Sequence, residues 1–277
     1  MTTPTIQPCV LTIAGSDSGG NAGVQADLRA FHCYGLHGCT VFAALTAQNP
    51  FAVSAIHEVP PDFVGAQLDA VLGVYGIQAL KTGMLSSTAV IEVVAARLAA
   101  HPEIKKVIDP VMVSTSGAKL ISDDAIAALE KQLLPQATLL TPNLPEAEVL
   151  VGGKLNASAR GAGVAHAEEL ARALQDRYGC AVLVKGGHGT ESEAVDVLFD
   201  GTSVQTFPLP WVANPVSTHG TGCSLAAALA AEFALGHDVA TAVAGAKRYV
   251  HEAIRTSYLV GKDCGVLGFA PQPQAIP

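Results

Sequence analysis

Short runs of β-forming residues alternate with amphipathic helical stretches along nearly the whole chain, and no other sequence feature restricts the fold as much. Apolar runs at residues 10–14, 39–47, 77–81, 106–109, 138–141 and 181–185 read as strands. Helical patterns fall between them, at 22–34, 61–74, 88–100, 122 to about 134, and 164–178. In the first of these, Val24, Leu28 and Phe31 form one apolar stripe. Pro61 and Asp62 are first-turn signals for the second, and Ser122 is a capping residue for the fourth. Residues 194–199 and 203–207 predict a hairpin around Asp200-Gly201. Two alanine-rich helices, 221–235 and 238–257, close the chain, and a proline-rich tail from about 265 is expected to be loose. Strands alternating with helices predict an α/β fold, with a mostly parallel central sheet covered by helices on both faces. With no linker or internal repeat, residues 1–277 are expected to form a single domain.

In such sheets ligands bind beyond the carboxyl ends of the strands. Here those ends carry unusual polar or glycine-bearing sequences: Gly15-Ser16-Asp17, Gln48-Asn49, Lys81-Thr82-Gly83, Asp109-Pro110, Thr141-Pro142-Asn143 and Lys185-Gly186-Gly187. The chain is 49% apolar and 14% charged, which allows a large core and argues against disorder. A formal charge of −8 without basic runs makes nucleic acid or an anionic membrane surface a poor partner. An anionic substrate must therefore be held by local donors. The six cysteines form no C-x-x-C pair and no zinc-ribbon spacing, which suggests reduced thiols in a cytosol. Met1 to Pro8 lacks the charged start of a signal peptide. The most apolar helix, 224–235, is too short for a bilayer and contains Glu232. The expectation is a soluble, cytoplasmic protein.

His219-Gly220-Thr221-Gly222-Cys223, immediately before a long helix, is the strongest local signal. Two glycines let the backbone turn tightly and present successive N–H groups, and the helix adds its positive end. This makes an anion hole suited to a transferring phosphoryl group. Cys223 falls in the first turn, where a thiol pKa is expected below its usual value, and could accept the proton of a substrate hydroxyl. A glycine cap with a small buried cysteine explains the pentapeptide about as well. Gly15-Ser16-Asp17-Ser18-Gly19-Gly20-Asn21-Ala22-Gly23 follows a strand and precedes a helix. It is out of register for G-x-G-x-x-G, and no G-x-x-x-x-G-K-[ST] occurs anywhere, so any kinase here is not of the P-loop type. In Thr141-Pro142-Asn143-Leu144-Pro145-Glu146, Asn143 and Glu146 face the strand-end cleft. There a carboxylate, joined by Asp109, can hold Mg²⁺ through water; complementing the helix dipole is the simpler role for Glu146. Lys185 at a strand end beside glycines can reach phosphate oxygens or be merely solvated. Lys81 carries the same ambiguity. Met84 is core packing unless it floors a ring pocket.

Taken in this order, these segments resemble the ribokinase-like superfamily, and most closely its hydroxymethylpyrimidine/phosphomethylpyrimidine kinase branch, from about residue 10 to about residue 234. The resemblance implies ATP-dependent phosphorylation of hydroxymethylpyrimidine, then of its monophosphate, in thiamine biosynthesis, with ATP and Mg²⁺ as cofactors. It places Gly15, Ala22, Gln48, Met84 and Val111 around the pyrimidine, with Asp17 shaping the substrate loop. Gln48 would bond the ring nitrogen and the exocyclic amine. It gives Asp109 and Glu146 to the metal, Asn143, Lys185 and Thr221 to the ATP phosphates, and Gly220, Gly222, Lys185 and Cys223 to catalysis. Relatives in this superfamily commonly form homodimers. The family loop usually reads Ser-Gly-Gly-Ala-Gly, whereas here Asn21 interrupts it.

A pyridoxal or pyridoxine kinase of the same branch would share the fold, the nucleotide site and Cys223; Gln48 fits an aminopyrimidine edge better. A Cys/His acyl-transfer enzyme using His219 and Cys223 would need a third orienting group, and none is evident. A ligand sensor on a kinase fold would have no need of Asp109, Glu146, Lys185 and Cys223 together.

Overall fold

The computed structural model describes residues 6–112, 121–153, 163–186 and 193–269. Its strands are β1 (Cys9–Asp17), β2 (His37–Asn49), β3 (Ala52–Glu58), β4 (Ile77–Thr82), β5 (Lys105–Ile108), β6 (Leu139–Leu140), β7 (Ala181–Val184), β8 (Glu193–Phe199), β9 (Val204–Pro210), β10 (Tyr258–Leu259) and β11 (Gly265–Val266). The helices are α1 (Gly23–Cys33), α2 (Pro61–Leu72), α3 (Thr88–Ala99), α4 (Asp123–Ala128), α5 (Leu144–Leu150), α6 (Val164–Tyr178), α7 (Thr221–Ala234) and α8 (Val239–Arg255).

Nine strands form one sheet in the order β3-β2-β1-β4-β5-β6-β7-β8-β9. The six from β2 to β7 run parallel, while β3, β8 and β9 pair antiparallel at the two edges. Successive side chains of a strand point to opposite faces, and the apolar strands use both. Leu11, Ile13, Leu80, Ile108 and Leu140 pack with α2, α3, α5 and α6. Val10, Ala79, Val107, Leu139 and Leu183 pack with α1, α7 and α8. Each fully buried residue of this kind contributes roughly 1.5–3 kcal/mol, so both helix layers are held firmly. Every residue of α7 from Ser224 to Ala234 is buried. Its alanines let the sheet, α1 and α8 approach closely at once. Among the described residues, no helix is long and apolar enough to cross a membrane.

Four local expectations need correction. On α1 the buried stripe includes Asp27, whereas Leu28 is 36% exposed. Strand β3 was not expected: the Asn49 side chain accepts from the N–H groups of Phe51 and Ala52, turning the chain back at Pro50. The helix at 122–134 is regular only in α4. It widens into a π turn over Leu129–Leu133 and tightens to a 3-10 turn over Leu134–Gln136, around Pro135, which lacks an N–H to donate. The tail is docked as far as residue 269: β11 pairs with β10, Leu267 is buried, and Phe269 packs on Tyr249. The Asp200-Gly201 hairpin forms as expected, its Asp200 carboxylate accepting from the N–H groups of Thr202 and Ser203. Residues 1–5, 270–277 and Gly187-His188, all part of the sequence reading, lie outside the described residues.

Candidate active site

The carboxyl ends of β1, β4, β5, β6 and β7 meet the amino end of α7 along one edge. Gly15-Gly23 arches from β1 into α1, and Asp17 is its organiser. Its buried carboxylate accepts from the N–H groups of Gly19 (2.8 Å), Asn21 (3.0 Å) and Ala22 (2.8 Å). Burial pushes this carboxyl up, but the His219 ring and the three N–H groups outweigh it and hold the pKa below the usual range. Gly15 lies under Met84: a Cβ there would stand 2.8 Å from the Met84 methyl. Ser18 exchanges hydrogen bonds with the Gln48 backbone (2.8 and 2.9 Å), joining the loop to β2. Gln48 and His219 line a cavity of about 310 Å³ with Asn49, Phe51 and Ser217. Neither Lys185 nor Cys223 lines it. Val111 donates to the Asp109 carbonyl in the turn after β5 and is half-buried.

Gly220 is the N-cap of α7, with φ of +88°. It faces the carbonyl of Asn21 so closely that a Cβ would overlap it. Asn21 thus joins the β1–α1 loop to the turn that opens α7. Gly220→Ala would add left-handed strain of about 1–2 kcal/mol and drive the two loops apart. We expect it to lower turnover about 10²-fold, the scale of a 1 Å misplacement. Steady-state kinetics beside a melting curve checks this.

Thr221, Gly222 and Cys223 occupy the first turn of α7. Lys185 follows β7, with its Nζ 2.8 Å from Asp109 Oδ1. A Cβ on Gly222 would lie 3.7 Å from that Nζ, so the lysine reaches the α7 terminus. Burial lowers the Lys185 pKa, but Asp109 and Glu146 outweigh it and keep the group charged. Asn143 bridges to Lys185 and caps α5. Its side chain accepts from the Glu146 N–H (2.9 Å), and the Glu146 carboxylate accepts from the Asn143 N–H (2.9 Å). A longer bond from the Met112 N–H, 3.4 Å, reaches the other Glu146 oxygen. Glu146, weighed as a complement to the helix dipole, thus closes a capping box at the amino end of α5. Burial nonetheless pushes its pKa up to about 7, against the pull of Lys185. Two buried carboxylates, Asp109 and Glu146, thus lie about one lysine, an oxygen set that fits a divalent cation. No cluster of three or more metal-ligating side chains occurs among the described residues.

Two groups depart from expectation. The Cys223 thiol is shifted up, not down: burial outweighs Lys81 and the N–H of Gly23. His219 does not serve Cys223; its Nε2 lies 3.9 Å from Asp17 and has no hydrogen-bond partner, so the acyl-transfer pair is not formed. One group was missed. Asp27 forms a fully buried ion pair with Lys81, at 3.0 and 2.9 Å, and accepts a 2.6 Å bond from the Thr12 hydroxyl. An acid on the apolar stripe of a helix was the available signal.

The fold and this edge have counterparts. Residues 17–268 match the phosphomethylpyrimidine kinase family model. A hydroxymethylpyrimidine/phosphomethylpyrimidine kinase from Synechococcus elongatus is 46% identical, over 94% of this chain and 97% of its own. The thiamine biosynthesis bifunctional protein ThiED of Geobacter sulfurreducens is 44% identical over 92% of this chain; the match covers 51% of that longer protein. Among solved structures, Bacillus subtilis pyridoxal kinase in complex with ADP superposes with a TM-score of 0.85 at 33% identity, covering 96% of this chain and 98% of that one. Phosphomethylpyrimidine kinase from Clostridium difficile gives 0.77 at 35% identity, covering 89% and 99%. The six-strand parallel core, the glycine-bent α7 terminus and the match along nearly the whole length lead to one conclusion: the chain belongs to the phosphomethylpyrimidine kinase family.

Proposed function

We propose that this chain transfers the γ-phosphoryl group of ATP to the hydroxyl of hydroxymethylpyrimidine, and then phosphorylates the monophosphate. The observation that carries the reading is Lys185, paired with Asp109, standing against the Gly220–Cys223 turn at the amino end of α7. The substrate hydroxyl oxygen attacks the γ-phosphorus, the bond to the bridging oxygen of ADP breaks, and the hydroxyl proton passes to Cys223. Lys185 and the N–H groups of the α7 first turn neutralise charge on the moving phosphoryl group. Asp17 and Asn21 fix the loop that presents the substrate. Asp109 and Glu146 would hold Mg²⁺, which supplies charge neutralisation on the phosphates when bound. Because burial leaves the resting thiol protonated, base action by Cys223 requires a group that favours its thiolate.

The pyridoxal reading keeps one argument, the superposition on pyridoxal kinases, including one from Staphylococcus aureus in complex with AMP-PCP and pyridoxal at 31% identity. The relatives at 42–46% identity favour the pyrimidine. Turnover of hydroxymethylpyrimidine, its monophosphate and pyridoxal with Mg·ATP, followed by mass of product, decides between them. Substantial turnover of pyridoxal alone would sink the pyrimidine reading. Gln48→Leu is expected to lower kcat/KM for the pyrimidine about tenfold, the scale of a lost buried hydrogen bond, with the KM for ATP unchanged. A cytoplasmic location and a homodimer go with this reading, and the exposed Leu45, Phe51 and Ile56 around the β2–β3 turn favour the second.

A further inference from the structure

We propose that the buried Asp196–Lys247 pair is a positioning element for Lys185, fixing the backbone from which that lysine reaches the α7 turn. The inference rests on the reading of Lys185 as the group facing the phosphates and adds what holds it there. Asp196 lies on β8 and Lys247 on α8, and each side chain is only 9% exposed. Lys247 Nζ stands 2.9 Å from Asp196 Oδ2 and donates to the Ala194 carbonyl at 2.8 Å. The other carboxylate oxygen, Oδ1, accepts from the N–H of Gly186 at 2.8 Å. Gly186 is the residue after Lys185. An unbroken run of contacts thus joins α8 to the backbone of the phosphate-facing lysine.

The register of the sheet explains why a side chain is needed here. Pairing of β7 with β8 ends at Val184–Val197, just before Lys185. Beyond it the chain passes tight against β8: a Cβ on Gly186 would overlap the Val195 carbonyl. Gly186 therefore has no side chain with which to anchor itself, and its N–H is the handle that remains. On the other side, the Lys185 N–H donates to the Pro142 carbonyl at 2.9 Å. The lysine backbone is thus held from both sides, and its Nζ is held at Asp109. Burying two charges is costly, and an apolar pair would hold α8 to β8 about as well. What an apolar pair lacks is an acceptor for the Gly186 N–H. Lys247 keeps that acceptor in place by binding its second oxygen.

The test compares two double variants of the full chain that carry no charge at either position and differ only in the acceptor. Asp196→Asn/Lys247→Met keeps an oxygen for the Gly186 N–H, whereas Asp196→Leu/Lys247→Met, of similar volume, has none. Steady-state kinetics with hydroxymethylpyrimidine and Mg·ATP, beside a melting curve, reads both. The first is expected to keep the kcat of the unaltered protein. The second is expected to lose about tenfold in kcat, the scale of one hydrogen bond, with the KM for the pyrimidine unchanged. Adding Lys185→Met to each separates positioning from a general structural effect. With the lysine gone, the two double variants should turn over at one rate, because the acceptor acts only through Lys185. Should the second variant fail to fold, Asp196→Val/Lys247→Met, β-branched as strands favour, makes the same comparison. Equal kcat in the two folded double variants, or the same difference between them with and without Lys185, overturns the proposal. Undiminished turnover in Lys185→Met alone would instead overturn the reading of Lys185.

Discussion

Replacing Cys223 by alanine is expected to lower kcat by ~10²–10⁴-fold, the range a positioned general base supplies, while ATP affinity stays near that of the unaltered protein. Cys223 sits at the third position of α7, and removing its sulfur leaves the Gly220 turn and the N–H groups of that turn in place. Lys185 keeps its 2.8 Å bond to Asp109. The phosphate-binding parts therefore survive, and the loss falls on the chemical step alone. Single-turnover kinetics with the pyrimidine, beside a nucleotide titration, separates the two quantities. Retention of most of the turnover would mean that the hydroxyl proton leaves by another route.

The second large effect concerns stability. Breaking the Asp27–Lys81 pair one residue at a time, by Asp27→Asn or Lys81→Met, leaves a fully buried charge or acid without its partner. Each single change is expected to destabilise by about 3–5 kcal/mol, or roughly 5–15 °C in Tm. The double variant removes both partners at nearly constant volume and is expected to melt close to the original protein. A double-mutant cycle by thermal or urea unfolding measures the coupling directly. Additive single and double effects would mean that the two side chains do not act as a pair.

The strand ends were legible because each breaks an apolar run with a polar or glycine residue, a contrast that survives without knowing the fold. Lys185, Asp109 and Asn143 were found that way, and the sheet gathers them. Asp27 was hidden because hydrophobicity chose Leu28 for the stripe on α1. The choice fails when the buried residue is an acid whose partner, Lys81, lies far along the chain. Strand β3 was hidden because nearly all of it is exposed, so it carries no apolar alternation. The docking of Leu267 and the pairing of Gly265–Val266 depend on contacts with β10 and α8 that no local pattern records. At Cys223 the helix terminus was visible in the sequence; the burial that overrides it was not.

The touch between Asn21 and Gly220 has a consequence for how the protein is made. Asn21 leaves the ribosome well before Gly220. The early loop must wait, lacking its abutment, until α7 has been made and has slotted onto the waiting sheet. A nascent or truncated chain can therefore acquire much of its layered framework yet have no competent centre. Such late closure of a distant contact is slow.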